Sequence, residues 1–205
     1  MKHLRTVDDV MTHAVISVDR GAPFKDVVET MRQWRISALP VLAEDGRVAG
    51  VVSEADLLLK AQGADESRAV TAGELMTVPA VTVRKDATIS GAARLMARGH
   101  LKRLPVVDGD GRLVGLVSRG DLLKIYLRPD ADIGEELREL IMAELIPAGS
   151  AEVHVHVANG IVYLHGSIPN ATLRDVLMRV ARTVPGVVDV TAQFDVEVPA
   201  WGGRR

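Results

Sequence analysis

Residues 46–58 read GRVAGVVSEADLL and residues 111–123 read GRLVGLVSRGDLL, so this stretch recurs 65 residues later in the chain. The same offset carries Met11-Thr12 onto Met76-Thr77, and it carries the LPV of residues 39–41 onto the LPV of residues 104–106. Three blocks that recur in one register without a gap indicate a duplicated structural unit. We therefore interpret the chain as two copies of one unit, followed by a tail.

Composition restricts the class of protein. The chain has 205 residues, which is enough for one long domain or two modest ones. Apolar residues make up 47% but aromatic residues only 3%, so the core must be aliphatic. A net charge of −2 does not favour nucleic-acid binding, and the lack of cysteine excludes disulfide and thiolate chemistry. No secretory signal follows the first residues (MKHLRTVDD), and no stretch reaches the roughly 18 apolar residues of a membrane span. We expect a cytoplasmic protein.

Each copy predicts the order strand, helix, strand, hairpin strand, helix. In the first copy (7–60), the strands are expected at 15–18, 39–43 and 48–52, and an amphipathic helix at 23–34. In the second copy (72–127), the strands are expected at 81–83, 104–107 and 113–117, with a helix lined by Ile89, Ala92, Ala93 and Met96. A polar connector at 62–68 separates the two copies.

A Ser-x-x-Asp motif opens the last helix of each copy, as Ser53 and Asp56 in the first and Ser118 and Asp121 in the second. One interpretation is structural: the hydroxyl accepts an unpaired amide hydrogen, and the acid suits the positive end of the helix. The other is a binding site, because a carboxylate placed there can accept hydrogen bonds from two ribose hydroxyls and the helix end favours a phosphate. Both interpretations stay open.

One difference between the copies concerns charge. Lys102 and Arg103 precede the Leu-Pro of the second copy, where the first copy has Ser37 and Ala38. Basic side chains there either line a solvated strand edge or bind a phosphate.

Two Gly-apolar-apolar-Ser-x-x-Asp motifs, each behind a Leu-Pro-Val strand and a Met-Thr opening, resemble a tandem pair of CBS domains (named for cystathionine β-synthase) over residues 7–127. The resemblance implies two β-α-β-β-α repeats that form one pseudo-two-fold module. It also implies two clefts for adenosine-containing ligands and a homodimer of stacked modules. We expect AMP, ADP or ATP as a regulatory ligand.

The resemblance further assigns residues to the two clefts. Asp56 and Ser53 would share a cleft with Lys102 and Arg103, whereas Asp121 and Ser118 would face Ser37 and Ala38. Ser17 and Thr82 complete the set of candidate ligand-binding residues. We expect unequal clefts, with the Asp56 cleft preferring a charged nucleotide.

The tail begins with a linker at 128–131. Asp132 and Glu135 then suggest the cap of a helix that ends before Pro147 and Gly149. An Asn159-Gly160 turn predicts a hairpin that pairs His154 with His165 and His156 with Tyr163. A helix at 171–183 and a strand at 188–198 follow.

The order helix, hairpin, helix, strand resembles a BON domain (bacterial OsmY and nodulation) over residues 133–198, on the runs VANGIVYLHGSI at 157–168 and VPGVVDV at 184–190. The resemblance implies a small α-β-β-α-β domain that contacts phospholipid or protein, so the whole chain is of the α+β class. Three histidines, at 154, 156 and 165, share one face of the hairpin. They could bind a metal, or they could form the solvent-exposed face of the sheet in a two-layer domain. We expect no metal.

Together these features predict a non-enzymatic regulatory protein that senses an adenine nucleotide through its CBS pair, with the BON domain as an effector or interaction module. We find no nucleophile–base pair and no phosphate-binding P-loop, and His100 is a lone histidine. The alternative is a scaffold for oligomerisation or membrane-surface contact with vestigial clefts. The sequence does not distinguish among the adenosyl ligands.

Overall fold

The computed structural model describes residues 5–62, 70–146 and 151–196. Most of the expected connector, Pro147, Gly149 and the end of the last predicted strand lie outside the described residues. The chain divides into two compact units, the first ending at Leu122 and the second beginning at Leu123. In the described part of the chain, no helix has the length and apolar character needed to cross a membrane.

The first copy forms a three-stranded sheet with two helices. Its elements are β1 (Val18–Asp19), α1 (Phe24–Trp34), β2 (Ala38–Leu42), β3 (Val48–Ser53) and α2 (Glu54–Gln62). Strand β1 runs parallel to β2, and β2 pairs antiparallel with β3. Leu39, Val41 and Val52 of the sheet are buried with Val27 and Met31 of α1. The buried face of this helix is narrower than the predicted amphipathic pattern, because Trp34 at its end is 54% exposed.

The second copy repeats this topology. Its elements are α3 (Ala72–Leu75), β4 (Val83–Arg84), α4 (Ile89–Arg98), β5 (Arg103–Val107), β6 (Leu113–Ser118) and α5 (Arg119–Leu123). The registers match at the 65-residue offset: Val18 pairs with Val41 as Val83 pairs with Val106. The predicted β-α-β-β-α order is confirmed. The first strand of each copy is shorter than expected and starts one residue after Ser17 or Thr82.

The opening segment of each copy pairs with the hairpin of the other copy. The Thr12 amide donates to the Leu116 carbonyl at 2.9 Å, and the Thr77 amide donates to the Val51 carbonyl at 2.9 Å. The methionine of each Met-Thr opening packs directly over a glycine of the other copy. A Cβ on Gly50 would lie 2.5 Å from the Met76 sulfur, and a Cβ on Gly115 would collide with the Met11 sulfur in the same way. This close approach explains why the second strand of each hairpin contains a glycine.

The second unit begins with a short 3₁₀ turn (Lys124–Leu127) and then α6 (Asp130–Leu140), which continues into a π-helical turn (Ile141–Leu145). Strands β7 (Glu152–Ala158) and β8 (Ile161–Ile168), helix α7 (Ala171–Ala181) and strand β9 (Asp189–Val196) follow. The sheet order is β7-β8-β9, with β7 antiparallel and β9 parallel to β8. Both helices contribute to one core, whose buried members include Ile133, Leu137, Val162, Leu164, Ile168 and Leu177.

The linker interpretation of residues 128–131 is wrong. The Arg128 guanidinium donates to the Pro185 carbonyl at 2.7 Å and to the Glu136 carboxylate at 2.8 Å. Asp130 starts α6, and its carboxylate accepts the amides of Asn159 and Gly160 at 2.7 and 2.8 Å. The predicted Asp132 cap is wrong too, because Asp132 lies inside the first turn of α6.

The hairpin prediction is confirmed. Asn159 and Gly160 both adopt positive φ angles, 53° and 73°, as a tight two-residue turn requires. The resulting register pairs His154 with His165 and His156 with Tyr163. All three histidines therefore lie on the exposed face of the sheet.

Candidate functional site

The first Ser-x-x-Asp motif joins β3 to α2 and forms a closed cap. The Ser53 amide and hydroxyl donate to Asp56 Oδ2 at 2.8 and 2.6 Å, and the Asp56 amide donates back to Ser53 Oγ at 3.4 Å. This arrangement satisfies donors that the first turn of a helix leaves unpaired. The structural interpretation of the motif is therefore correct, but it uses only one of the two carboxylate oxygens.

The second oxygen of Asp56 faces a residue of the other copy. The Thr77 hydroxyl, from the second Met-Thr opening, lies 3.5 Å from Asp56 Oδ1. Because an ionised carboxylate has about four lone-pair sites, the cap and this contact leave acceptor capacity at Oδ1. Our sequence analysis missed Thr77. Its recurrence with Met76 was visible, but its partner depends on how the two copies pack.

The second Ser-x-x-Asp motif has the same geometry. The Ser118 amide and hydroxyl donate to Asp121 Oδ2 at 2.9 and 2.7 Å, and the Asp121 amide donates to Ser118 Oγ at 3.2 Å. The helix that follows, α5, is shorter than α2. The two motifs differ in charge at the residue that follows the serine, which is Glu54 in the first copy and Arg119 in the second.

Arg119 is a second residue that the sequence analysis did not single out. Its Nε donates to the Leu101 carbonyl at 2.8 Å, which ties the start of α5 to the loop before β5. The two motifs therefore present charges of opposite sign beside otherwise matching carboxylates.

Arg103 connects the two copies. Its backbone pairs with Ser118 across the β5–β6 hairpin, but its Nη2 donates to the Ser37 hydroxyl of the first copy at 3.2 Å. The Ser37 carbonyl accepts the Glu54 amide at 3.1 Å, so Ser37 lies at the start of α2. The Arg103 guanidinium thus lies beside the first turn of the helix that carries Asp56.

The remaining candidates are less closely joined to these groups. Lys102 is exposed, and its carbonyl accepts the Arg119 amide at 3.1 Å at the start of α5. Ser17 and Thr82 are half-buried just before β1 and β4. The hydrogen bonds of the described residues do not join either side chain to the two Ser-x-x-Asp motifs.

The histidine face of the second unit shows aromatic contacts. The rings of His154 and His165 stack with centroids 5.1 Å apart, and those of His156 and Tyr163 are 6.0 Å apart. Glu152 lies 3.1 Å from His154 Nε2. Within residues 5–62, 70–146 and 151–196, no three histidine, cysteine or acidic side chains are placed to hold a metal ion together.

Comparison with known families gives two matches. The model of the CBS domain matches residues 7–63 and again residues 72–128. The model of the BON domain matches residues 129–198. The second match begins one residue before α6, within the segment that Arg128 and Asp130 attach to the second unit.

Known proteins resemble the CBS-matching part of the chain. The CBS domain-containing protein YhcV of Bacillus subtilis is 33% identical over 121 residues, which is 58% of this chain and 84% of that protein. CBSX2 of Arabidopsis thaliana, solved in complex with AMP, is 33% identical with a TM-score of 0.53, covering 60% of this chain and 96% of that one. The cytosolic domain of the Mg²⁺ channel MgtE, solved with ATP, is 34% identical with a TM-score of 0.50. It covers 57% of this chain, and this chain spans about half (47%) of that one.

Proposed function

Because this chain belongs to the CBS domain family and carries a BON domain after its CBS pair, we propose that it is a non-enzymatic regulatory protein that binds an adenine nucleotide. Two similar structures were solved with AMP and with ATP, at 33% and 34% identity. The BON domain would act as the effector or interaction module. A bound nucleotide regulates such a protein only if it has different affinities for two conformations.

The observation that carries this proposal is the arrangement around Asp56. Ser53 holds one carboxylate oxygen, and the other oxygen faces the second copy at Thr77. An ordered carboxylate with spare acceptor capacity suits a ribose, because the 2′ and 3′ hydroxyls can donate to the same group. Ser53 and Thr77 would keep that carboxylate in place.

Arg103 would supply the complementary charge. Its guanidinium lies beside the first turn of α2, bonded to Ser37. A guanidinium can bind phosphate oxygens through two parallel hydrogen bonds, and the nine-residue helix α2 adds its positive end. Lys102 is exposed one residue earlier, but its carbonyl lies at the start of α5, so the assignment of a phosphate to the Asp56 cleft relies on Arg103. We therefore assign a charged nucleotide to the Asp56 cleft and a weaker or uncharged ligand to the Asp121 cleft.

Isothermal titration with AMP and ATP tests the proposal. We expect micromolar binding that Asp56→Ala weakens by about tenfold or more, since it removes charge-assisted hydrogen bonds. Asp56 also caps α2, so the matched control is Asp9→Ala, which removes the carboxylate of the Thr6–Asp9 cap and should leave binding unchanged. Circular dichroism would verify that both variants fold. Loss of binding in Asp121→Ala, with Asp56→Ala unaffected, would show that our assignment of the clefts is wrong.

A scaffold with vestigial clefts is the second candidate. Ala55 and Gly120, which precede the two aspartates, supply no polar side chain to a ligand. A nucleotide that binds only the folded protein must raise its melting temperature. If AMP, ADP and ATP all leave the melting temperature and the calorimeter trace unchanged, the scaffold is the better account.

We also propose that the protein is a cytoplasmic homodimer assembled through its CBS module. Leu58 and Leu59 on α2 are 63% and 71% exposed, an apolar surface that a second copy could cover. Light scattering would measure the mass. Leu58→Glu with Leu59→Glu should convert a dimer to a monomer, and an unchanged mass would contradict this interface.

A further inference from the structure

The turn between β7 and β8 contains a sequence that is prone to chemical change. The chain has two asparagines, and one of them, Asn159, is followed by a glycine. Asn159 is exposed, whereas Gly160 is buried. A glycine after an asparagine favours deamidation, because it has no Cβ to keep its amide nitrogen away from the asparagine side chain. The surroundings of the turn therefore decide whether Asn159 reacts.

Deamidation of Asn159 needs only water as a co-reactant. The Gly160 amide nitrogen gives up its proton, and its lone pair attacks Cγ of Asn159. A bond forms between this nitrogen and Cγ, the bond from Cγ to the side-chain nitrogen breaks, and that nitrogen leaves with the proton as ammonia. Water then opens the cyclic imide at either carbonyl, which gives aspartate or isoaspartate. Either product replaces a neutral amide with a carboxylate.

The Asp130 carboxylate holds the turn in an unreactive form. Its Oδ1 accepts the Gly160 amide at 2.8 Å, and its Oδ2 accepts the Asn159 amide at 2.7 Å. A carboxylate in contact with the Gly160 nitrogen opposes the loss of its proton, because two negative charges would then lie side by side. The nucleophile is thus kept protonated and directed at α6, of which Asp130 is the first residue.

Gly160 is also held from the side of β9. Its carbonyl accepts the Val188 amide at 2.9 Å, and a Cβ on Gly160 would lie 2.9 Å from Val188 Cγ2. Asn159 and Gly160 both have the positive φ angles of a tight turn. The rotation that brings the Gly160 nitrogen to Cγ of Asn159 must break these contacts, so the reaction requires local opening of the turn.

We propose that Asn159 is a site of spontaneous deamidation, that Asp130 suppresses the reaction in the folded domain, and that the reaction proceeds when α6 releases the turn. This proposal is independent of nucleotide binding. The product does not restore the turn: its carboxylate belongs to the residue whose amide bonds to Asp130, and isoaspartate lengthens a turn that sets the hairpin register. Deamidation therefore makes the opening permanent.

Mass spectrometry of the full chain, incubated in mildly alkaline buffer, measures the rate at Asn159. We expect Asp130→Ala to raise this rate by about tenfold or more, since it removes two charge-assisted hydrogen bonds. Asp132→Ala, which removes a carboxylate from the same first turn of α6, is the matched control and should keep the wild-type rate. Asn170, which caps α7 and precedes an alanine, should stay unmodified in every sample.

A comparison in urea separates the effect of Asp130 from a general loss of folding. The unfolded wild type and unfolded Asp130→Ala should react at the same rate, at least about a hundredfold faster than the folded wild type, because both hydrogen bonds are then broken. Circular dichroism verifies that Asp130→Ala folds in buffer. If it does not, Asp130→Asn, whose single side-chain oxygen can replace only one of the two carboxylate acceptors, should react at an intermediate rate.

The stability of the product tests the second half of the proposal. Asn159→Asp should unfold at a lower urea concentration than Asn159→Gly, which keeps the turn without adding charge. Equal stability of these two variants would contradict a permanent opening.

Three results would overturn the role of Asp130. One is an equal rate in the folded wild type and in folded Asp130→Ala. Another is a slower rate in Asp130→Ala, which would show that the carboxylate acts as a base. The third is a folded wild type that reacts as fast as the chain in urea.

Discussion

The Arg103 guanidinium, from the second repeat, donates a 3.2 Å hydrogen bond to the Ser37 hydroxyl of the first repeat. Ser37 is also the residue whose carbonyl accepts the first amide of α2. The guanidinium of Arg103, which has no basic counterpart at Ala38 of the first repeat, thus lies at one cleft and not at both. This asymmetry leads to our first prediction.

Arg103→Ala should weaken AMP binding by about tenfold while changing adenosine binding by no more than about twofold, because only the phosphate uses the guanidinium. Calorimetry with both ligands measures the difference. Arg98→Ala, at the end of α4, is the matched control and should affect neither ligand. An equal loss for AMP and adenosine would show that Arg103 supports the fold and does not contact phosphate.

Gly50→Ala should destabilise the CBS pair by about 1–3 kcal/mol, the usual range for overpacking, because its Cβ would collide with Met76. Urea unfolding provides the measurement. Gly109→Ala is the control, since nothing lies within 4 Å of its added Cβ. Met76→Ala in the Gly50→Ala background should recover part of the loss. No recovery would mean that strand geometry, rather than the methionine contact, requires the glycine.

Arg128→Ala should lower the stability of the second unit by about 2–3 kcal/mol, because it removes the charge-assisted hydrogen bonds from the guanidinium to Glu136 and to the Pro185 carbonyl. Arg128→Met together with Glu136→Gln should lose less, since the buried carboxylate is then neutral. Arg174→Ala breaks an exposed pair with Asp175 and should change stability by less than about 1 kcal/mol. Chemical denaturation of the three variants compares them, and a small effect of Arg128→Ala would contradict the attachment we describe.

Asp108 should titrate below the usual carboxyl range. The backbone amide of Arg112 donates to its carboxylate at 2.9 Å and lowers its pKa, aided by the Asp110 amide. A depressed pKa in the folded state contributes stability that is present above about pH 4 and is lost as the pH falls through the lowered pKa. Asp108→Asn should therefore show a shallower fall of melting temperature in acid. Carboxyl NMR gives the midpoint directly, and an ordinary value would refute the prediction.

Much of the architecture follows from the sequence. The 65-residue offset established the two copies and their β-α-β-β-α order, because strand and helix periodicity and turn chemistry are local properties. The hairpin of the second unit was predictable for the same reason. The Asn159-Gly160 pair favours positive φ angles, which make the tight turn that pairs His154 with His165. Ser53 and Asp56 could be recognised as a cap for the same reason, since they are three residues apart.

Contacts between distant residues were not predictable in this way. The polar residues 128–131 suggested a linker, yet Arg128 is buried against Glu136 and Asp130 caps a turn 29 residues later. The residues that flank Arg128 and Thr77 in the sequence do not predict their partners, because those partners come from other elements.

The sequence by itself thus determined the repeat, the order of its elements, the hairpin register and the two capped carboxylates. Only the tertiary structure decided that each Met-Thr opening pairs with the other copy, that Arg103 reaches Ser37, and that the chain after Asp121 is attached to the BON domain. The physical reason is one of range. Backbone conformation responds to nearby residues, whereas a guanidinium or a methionine finds its partner only when separate elements pack together.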